Sequence, residues 1–229
     1  MDNMFASSSL WSVIIKSSLL SKTILLGASV VLILCLFICI YKALVVRDRL
    51  RQISSAMLAL QNVSSINDII AMGGSLRGTL PGLIFAKGLK AIKDILHRGD
   101  KDRDHISKKE FELVKVSLEQ AFDDAMHEES SYVLFLKVSG DVAPLVGLFG
   151  TISGLIQAFM AIGREKTTDM ATIAPGIAEA LITTFAGVVV AILALIMFHY
   201  VSARLRDVER NLVALVTRFE WVIQNSMVE

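Results

Sequence analysis

Three long apolar runs dominate the hydrophobic pattern of this chain. They cover residues 23–41, 141–162 and 173–199, and each is close to the length of roughly 20 residues that a helix needs to cross a bilayer. The second and third runs are separated only by the short polar segment 163–172, so we expect them to form a helical hairpin. The first run is long for the apolar core of a signal peptide, and no small-residue cleavage site follows it, so we interpret it as a retained span. The pattern predicts an all-α membrane protein with three transmembrane helices.

Residues 42–140, between the first and second spans, carry apolar positions at helical rather than strand spacing. The stretch 47–60 is predicted to continue the helix of the first span, and the stretch 83–96 to form a separate helix. Ser107 is followed three residues later by Glu110, which is the signature of a capping box at the start of a helix. We expect this last helix to run on into the second span.

Residues 200–229 follow the third span and carry an apolar stripe with alternating spacings of four and three, with charged residues off the stripe. Such a heptad seam favours self-association, although a helix that packs against the chain's own helical region would need the same stripe. The seam consists of Val201, Leu205, Val208, Leu212, Leu215, Phe219 and Val222.

Composition and charge support a membrane location and suggest an orientation. Hydrophobic residues make up 54% of the 229 residues and charged residues 20%, which is too apolar for an ordinary soluble domain. The formal net charge of +1 gives no indication of nucleic-acid binding. Lys and Arg cluster after the first and third spans, and basic residues near spans stay in the cytoplasm. Residues 1–22 and the loop 163–172 are therefore predicted outside, and 42–140 and 200–229 inside as long cytoplasmic helical extensions.

Glu179 lies within the third apolar run, where an ionisable group costs a few kcal/mol unless it faces a protein interior or a wet path. Helical steps of four from Glu179 reach Thr183 and Gly187, so an acid, a hydroxyl and a small residue share one face. Thr151 and Thr184 add hydroxyls within the spans, which either handle protons or only bond backbone carbonyls. Glu179 is likewise either a functional group or a packing acid bonded to a neighbouring helix. The candidate proton pathway consists of Thr151, Glu179 and Thr184.

Small residues in the second and third spans predict close contact between the two helices. Residues 150–154 form a GxxxG unit, which lets helix backbones approach each other. The predicted packing positions are Gly147, Gly150, Gly154, Pro175, Gly176, Thr183 and Gly187.

Two segments of the predicted hairpin carry distinctive motifs. Residues 144–151 read PLVGLFGT and residues 174–181 read APGIAEAL. They resemble the proline-led GLFGT segment and the APGIAEAL segment of the TolQ/ExbB/MotA family of ion-driven motor subunits. The number of spans, their orientation and the large first cytoplasmic segment agree as well, so the resemblance covers nearly the whole chain. The short N-terminal segment is more similar to the TolQ branch than to ExbB or to the larger motility stators.

The resemblance implies a homopentamer in the bacterial inner membrane around a dimer of single-span TolR-like partners, driven by the proton motive force. In that scheme an aspartate on the partner's span is the main protonatable group, and Thr151, Glu179 and Thr184 match polar residues that line its path. A TolA-like transducer would pass the work to the outer membrane, for its integrity and its constriction during cell division. An ExbB-like role in TonB-dependent uptake is the alternative within the family.

Enzyme classes find no support in the residue pattern. The four histidines lack the spacing of metal ligands or of a catalytic triad, and there is no glycine loop that would cradle a phosphate. We therefore expect neither a metal nor a cofactor. Outside the family, the alternative is a passive membrane scaffold that assembles through the GxxxG face and the C-terminal seam and conducts nothing.

Overall fold

The computed structural model describes residues 18–61, 76, 78–98, 106–165 and 170–227. These ranges contain five helices and no strand, which confirms the all-α prediction. The helices are α1 (Leu19–Gln61), α2 (Leu80–Arg98), α3 (Lys108–Ser130), α4 (Val133–Glu165) and α5 (Met170–Met227). As predicted, three of them, α1, α4 and α5, are long and apolar enough to cross a membrane. Most of the N-terminal segment and the central part of the hairpin loop, residues 166–169, lie outside the described residues.

One of two compact units contains residues 1–40 and 132–200. Many of its large apolar side chains are exposed on the surface. Phe37 is 69% exposed, Phe159 70% and Phe185 71%. A soluble protein rarely exposes a continuous apolar surface of this kind, whereas a helix bundle in a bilayer requires one. This unit therefore has the surface of a membrane-embedded bundle.

The other unit contains residues 41–131 and 201–229, and it has a core of the kind found in soluble proteins. The rings of Phe85 in α2 and Phe219 in α5 stack with their centroids 4.4 Å apart. Leu118 of α3 and Ile53 of α1 are buried in the same cluster. Four helices thus contribute to one apolar core.

The helix that begins at the capping box ends before the second span. Ser107 accepts a hydrogen bond from the Glu110 N–H, and the Glu110 carboxylate accepts one from the Ser107 N–H, so the predicted capping box is confirmed. However, α3 ends at Ser130, and Tyr132 has a φ of 66° before α4 begins at Val133. Left-handed backbone cannot continue a right-handed helix. The prediction of one continuous helix into the second span is therefore wrong.

A buried polar network stabilises the end of α3. Lys42 Nζ donates to the Glu129 carbonyl oxygen at 2.8 Å, and Arg49 Nε donates to Glu129 Oε1 at 2.8 Å. The last carbonyls of a helix have no partner within the helix, and Lys42 supplies one here. Both Lys42 and Glu129 are only 4% exposed. Two of the basic residues that predict the orientation of the first span, Lys42 and Arg49, thus also bond to the end of α3.

The C-terminal seam packs within its own unit. Val208, Leu212, Leu215, Phe219 and Val222 are at most 1% exposed, and they share a core with buried residues of α1, α2 and α3. This is the packing that the alternative interpretation of the stripe required. Self-association through these side chains would require them to leave this core.

Candidate functional site

Helices α4 and α5 approach so closely that their backbones touch. A Cβ atom on Gly187 would lie 2.6 Å from the Ala143 carbonyl oxygen and 3.0 Å from the Gly147 Cα. A Cβ atom on Gly147 would lie 3.1 Å from both the Thr183 carbonyl oxygen and the Thr184 Cα. A Cβ atom does not fit at 2.6 Å, and at 3.1 Å the neighbouring backbone would have to shift by a few tenths of an ångström. Glycine at these positions therefore permits the close contact of the two helices.

Most of the predicted packing positions lie at this contact. Thr183 is fully buried and its hydroxyl donates to the Ala180 carbonyl oxygen at 2.8 Å within α5. A Cβ atom on Gly150 would overlap the Thr183 side chain, which makes Thr183 a packing residue. Pro175 is exposed and does not take part. The predicted positions at the contact are Gly147, Gly150, Gly154, Gly176, Thr183 and Gly187.

Two of the three candidate pathway residues, Thr151 and Thr184, form a pair. The Thr184 hydroxyl donates across the hairpin to the Gly147 carbonyl oxygen at 2.9 Å, and the Thr151 hydroxyl donates to the Leu148 carbonyl oxygen at 2.6 Å. The two hydroxyl oxygens are 3.4 Å apart. At that distance Thr184 can donate to the Thr151 hydroxyl oxygen instead of to the Gly147 carbonyl oxygen. In either arrangement the two hydroxyl protons are used within the hairpin, and lone pairs remain on the hydroxyl oxygens that can accept a hydrogen bond.

Glu179, the third candidate, bonds to the beginning of α1. Its Oε1 accepts a hydrogen bond from the Ser18 backbone N–H at 2.8 Å and from the Ser18 hydroxyl at 2.5 Å. Ser21, which is 1% exposed, lies beside this contact, and its backbone N–H donates to the Ser18 hydroxyl oxygen at 3.3 Å. Ser18 thereby has the contacts of a helix N-cap residue. The Glu179 side chain, which extends from α5, therefore accepts two hydrogen bonds from the residue that precedes α1.

The candidate residues therefore fall into two polar groups, the pair Thr151–Thr184 and the contact Ser18–Glu179. Ser18 and Ser21 are not among the site residues that the sequence pattern predicts. A serine at the start of the first apolar helix, with a second serine three residues later, is the signal that could have identified an N-cap there. That signal would still not have named Glu179 as the partner, because it lies 161 positions away along the chain.

A cavity of about 420 Å³ opens between α1 and the hairpin. Its lining includes Ile24, Val31, Val142 and Val146, and no charged residue is among those that line it. An ion would meet no compensating charge there, so this cavity does not extend the polar site. In the described part of the chain, no group of three or more His, Cys, Asp or Glu side chains is arranged to hold a metal ion.

The chain is similar to proteins named for two related systems. It is 26% identical over 215 residues to the biopolymer transport protein ExbB of Pseudomonas putida, an alignment that covers 91% of this chain and 63% of the relative. It is 35% identical over 108 residues to the Tol-Pal system protein TolQ of Haemophilus influenzae, which covers 45% of this chain and 47% of the relative. The match to TolQ of Pseudomonas aeruginosa is 34% over 121 residues, with 53% and 51% covered. The chain thus spans about half to two thirds of the length of these relatives.

A family model gives the assignment that these relatives share. The model of the MotA/TolQ/ExbB proton channel family matches residues 79–213, which is more than half of the chain. The matched range includes Thr151, Glu179 and Thr184 and the whole glycine contact between α4 and α5. The resemblance seen in the two sequence motifs is confirmed, and the chain belongs to the MotA/TolQ/ExbB proton channel family.

Proposed function

We propose that this chain is the inner-membrane subunit of a Tol-Pal-type motor driven by the proton motive force. It assembles as a homopentamer around a TolR-like single-span dimer, and a TolA-like transducer passes the work to the outer membrane. The motor then supports outer-membrane integrity and constriction during cell division. The N-terminus faces the periplasm, and residues 200–229, which include the last part of α5, lie in the cytoplasm.

The observation that carries this proposal is the presence of two polar groups within a tightly packed hairpin. The hydroxyl oxygens of Thr151 and Thr184 are 3.4 Å apart, and Glu179 lies on the same helix as Thr184. Polar groups in a membrane helix are expensive unless they face a protein interior or a wet path. In the proposed complex, the main protonatable group is an aspartate on the partner's span. Thr151, Glu179 and Thr184 line the path along which this aspartate gains and loses its proton.

An ExbB-like role is the second candidate, and the lengths of the matches favour it. The alignment to ExbB of Pseudomonas putida covers 91% of this chain, whereas the alignments to TolQ reach higher identity over about half of it. In that role the same hairpin would energise TonB-dependent uptake across the outer membrane.

Complementation distinguishes these functions. The chain is expressed with its candidate single-span partner in one strain that lacks its own Tol motor and in another that lacks its own ExbB. Rescue of detergent sensitivity and cell chaining in the first strain supports the Tol role. Rescue of TonB-dependent uptake in the second strain alone would assign the ExbB role instead.

Three variants, at matched expression, test these polar groups. Glu179→Ala and Thr184→Val are expected to abolish rescue, because each removes a polar group from the proposed path. Thr184→Ser keeps the hydroxyl and is expected to rescue. If both Glu179→Ala and Thr184→Val rescued as well as the unaltered chain, these polar groups would serve packing only, as in a non-conducting scaffold.

A further inference from the structure

We propose that Ser18 is a positioning residue for Glu179, so that the start of the first membrane helix forms part of the ion site. This inference rests on the proposed function, since it assigns Glu179 a place in the proton path. The site then has three helices, α1, α4 and α5, and not only the two of the hairpin.

The geometry of the contact is specific to one carboxyl oxygen. The backbone N–H and the hydroxyl of Ser18 both donate to Glu179 Oε1, at 2.8 Å and 2.5 Å. Two donors from one residue fix both the position and the direction of the acceptor. Among the described residues, both of these hydrogen bonds are made to Oε1 and none to Oε2.

The beginning of α1 is suited to hold an acidic side chain. The first N–H groups of a helix have no acceptor within the helix, and the partial positive charge at this end attracts an acid. The Ser18 hydroxyl oxygen accepts a hydrogen bond from one of these N–H groups, that of Ser21, at 3.3 Å. Glu179 Oε1 accepts one from another, the N–H of Ser18. The contact therefore serves α1 and Glu179 at once.

The family match does not include this contact. It covers residues 79–213, so Glu179 lies inside the matched range and Ser18 lies outside it. The hydroxyls of Thr151 and Thr184 bond to backbone carbonyl oxygens and to each other, and among the described residues no hydrogen bond joins them to Glu179. Within the described chain, Ser18 is the residue that sets the direction of the Glu179 side chain.

The test measures the chemical reactivity of Glu179 separately from motor function. The full chain in membranes is treated with dicyclohexylcarbodiimide, an apolar reagent that adds to carboxyl groups, and modification of the Glu179 peptide is followed by mass spectrometry. Ser18→Ala and Ser18→Gly remove the hydroxyl donor, and Gly is itself a tolerated N-cap residue. Both are expected to label faster than the unaltered chain, by on the order of threefold or more, because Oε1 loses one of its two donors.

Two controls accompany these variants. Ser18→Thr keeps the hydroxyl and is expected to label at the rate of the unaltered chain. Ser29→Ala removes a serine hydroxyl from the same helix, where it donates only to the Leu25 carbonyl oxygen, and it is expected to leave the rate unchanged. An unchanged labelling rate in both Ser18→Ala and Ser18→Gly would overturn the proposal.

The same variants are then assayed for rescue of detergent sensitivity. Weaker rescue by Ser18→Ala, restored in Ser18→Thr, supports the positioning role. Faster labelling with full rescue would overturn it, because the contact would then only cap α1. Failure of the proposed function appears elsewhere, as full rescue by both Glu179→Ala and Thr184→Val, whatever the labelling rates are.

Discussion

Single glycines govern the contact between the two hairpin helices. Among the glycines of this contact, Gly187 has the closest backbone neighbour, because its missing Cβ would approach the Ala143 carbonyl oxygen to 2.6 Å. Gly27 in α1 is a membrane-helix glycine of the opposite kind, since no atom lies within 4 Å of its missing Cβ. Glycine at Gly187 permits a close approach of two helices, whereas glycine at Gly27 only carries the ordinary cost of glycine in a helix. Comparing substitutions at the two positions therefore isolates the effect of the close approach.

Gly187→Ala is expected to lower the free energy of unfolding by about 1–3 kcal/mol, because the added methyl group forces the helix backbones apart. Gly27→Ala is expected to be neutral or slightly stabilising, since alanine is the better helix former. Thermal unfolding in detergent, followed by circular dichroism, measures both. A loss of the same size in Gly27→Ala would contradict the role assigned to the contact.

At the scale of elements, α5 is one helix with two successive surfaces. Its first part presents the glycine face to α4, and its last part presents the seam to the core of the second unit. Leu212 is fully buried there, whereas the adjacent Val213 is 47% exposed. The neighbours Leu212 and Val213 therefore offer a matched pair for testing what the seam contacts.

Leu212→Ala is expected to cost about 2–5 kcal/mol of stability, as deletion of a buried leucine side chain does in a packed core. Val213→Ala is expected to cost well under that, because its side chain is half exposed. Thermal unfolding and size-exclusion chromatography measure stability and oligomeric state together. If Leu212→Ala left the unfolding temperature unchanged but dissociated an oligomer, the seam would serve contacts between copies.

At the scale of the whole molecule, the two units have different surfaces. The unit of residues 1–40 and 132–200 exposes most of its large apolar side chains, whereas the unit of residues 41–131 and 201–229 has an extended buried apolar core. The basic residues that follow the first and third apolar runs belong to the unit of residues 41–131 and 201–229. Because such residues stay on the cytoplasmic side, this unit is expected in the cytoplasm and the hairpin loop in the periplasm.

Thiol labelling tests this orientation. Cys35 and Cys39 are replaced by alanine, and a new cysteine is introduced either as Lys101→Cys or as Thr167→Cys. In spheroplasts, a membrane-impermeant maleimide is expected to label Thr167→Cys at once and Lys101→Cys only after the membrane is permeabilised. The reverse pattern would invert the proposed topology.

The sequence by itself determined the features that depend on neighbouring residues. The three spans follow from hydropathy summed over about 20 residues, and the capping box follows from two residues, Ser107 and Glu110, three apart. The close hairpin follows from glycines at helical spacing. The family followed from two short motifs that lie inside the range matched by the family model.

Tertiary structure alone decided which distant groups meet. Glu179 finds its donors on Ser18, 161 positions away, and Lys42 bonds to Glu129, 87 positions away. It also decided that the seam packs within the chain, because a heptad stripe looks the same whichever surface covers it. Local patterns specify which face of a helix must be buried. The packing of all helices together determines which other surface covers that face.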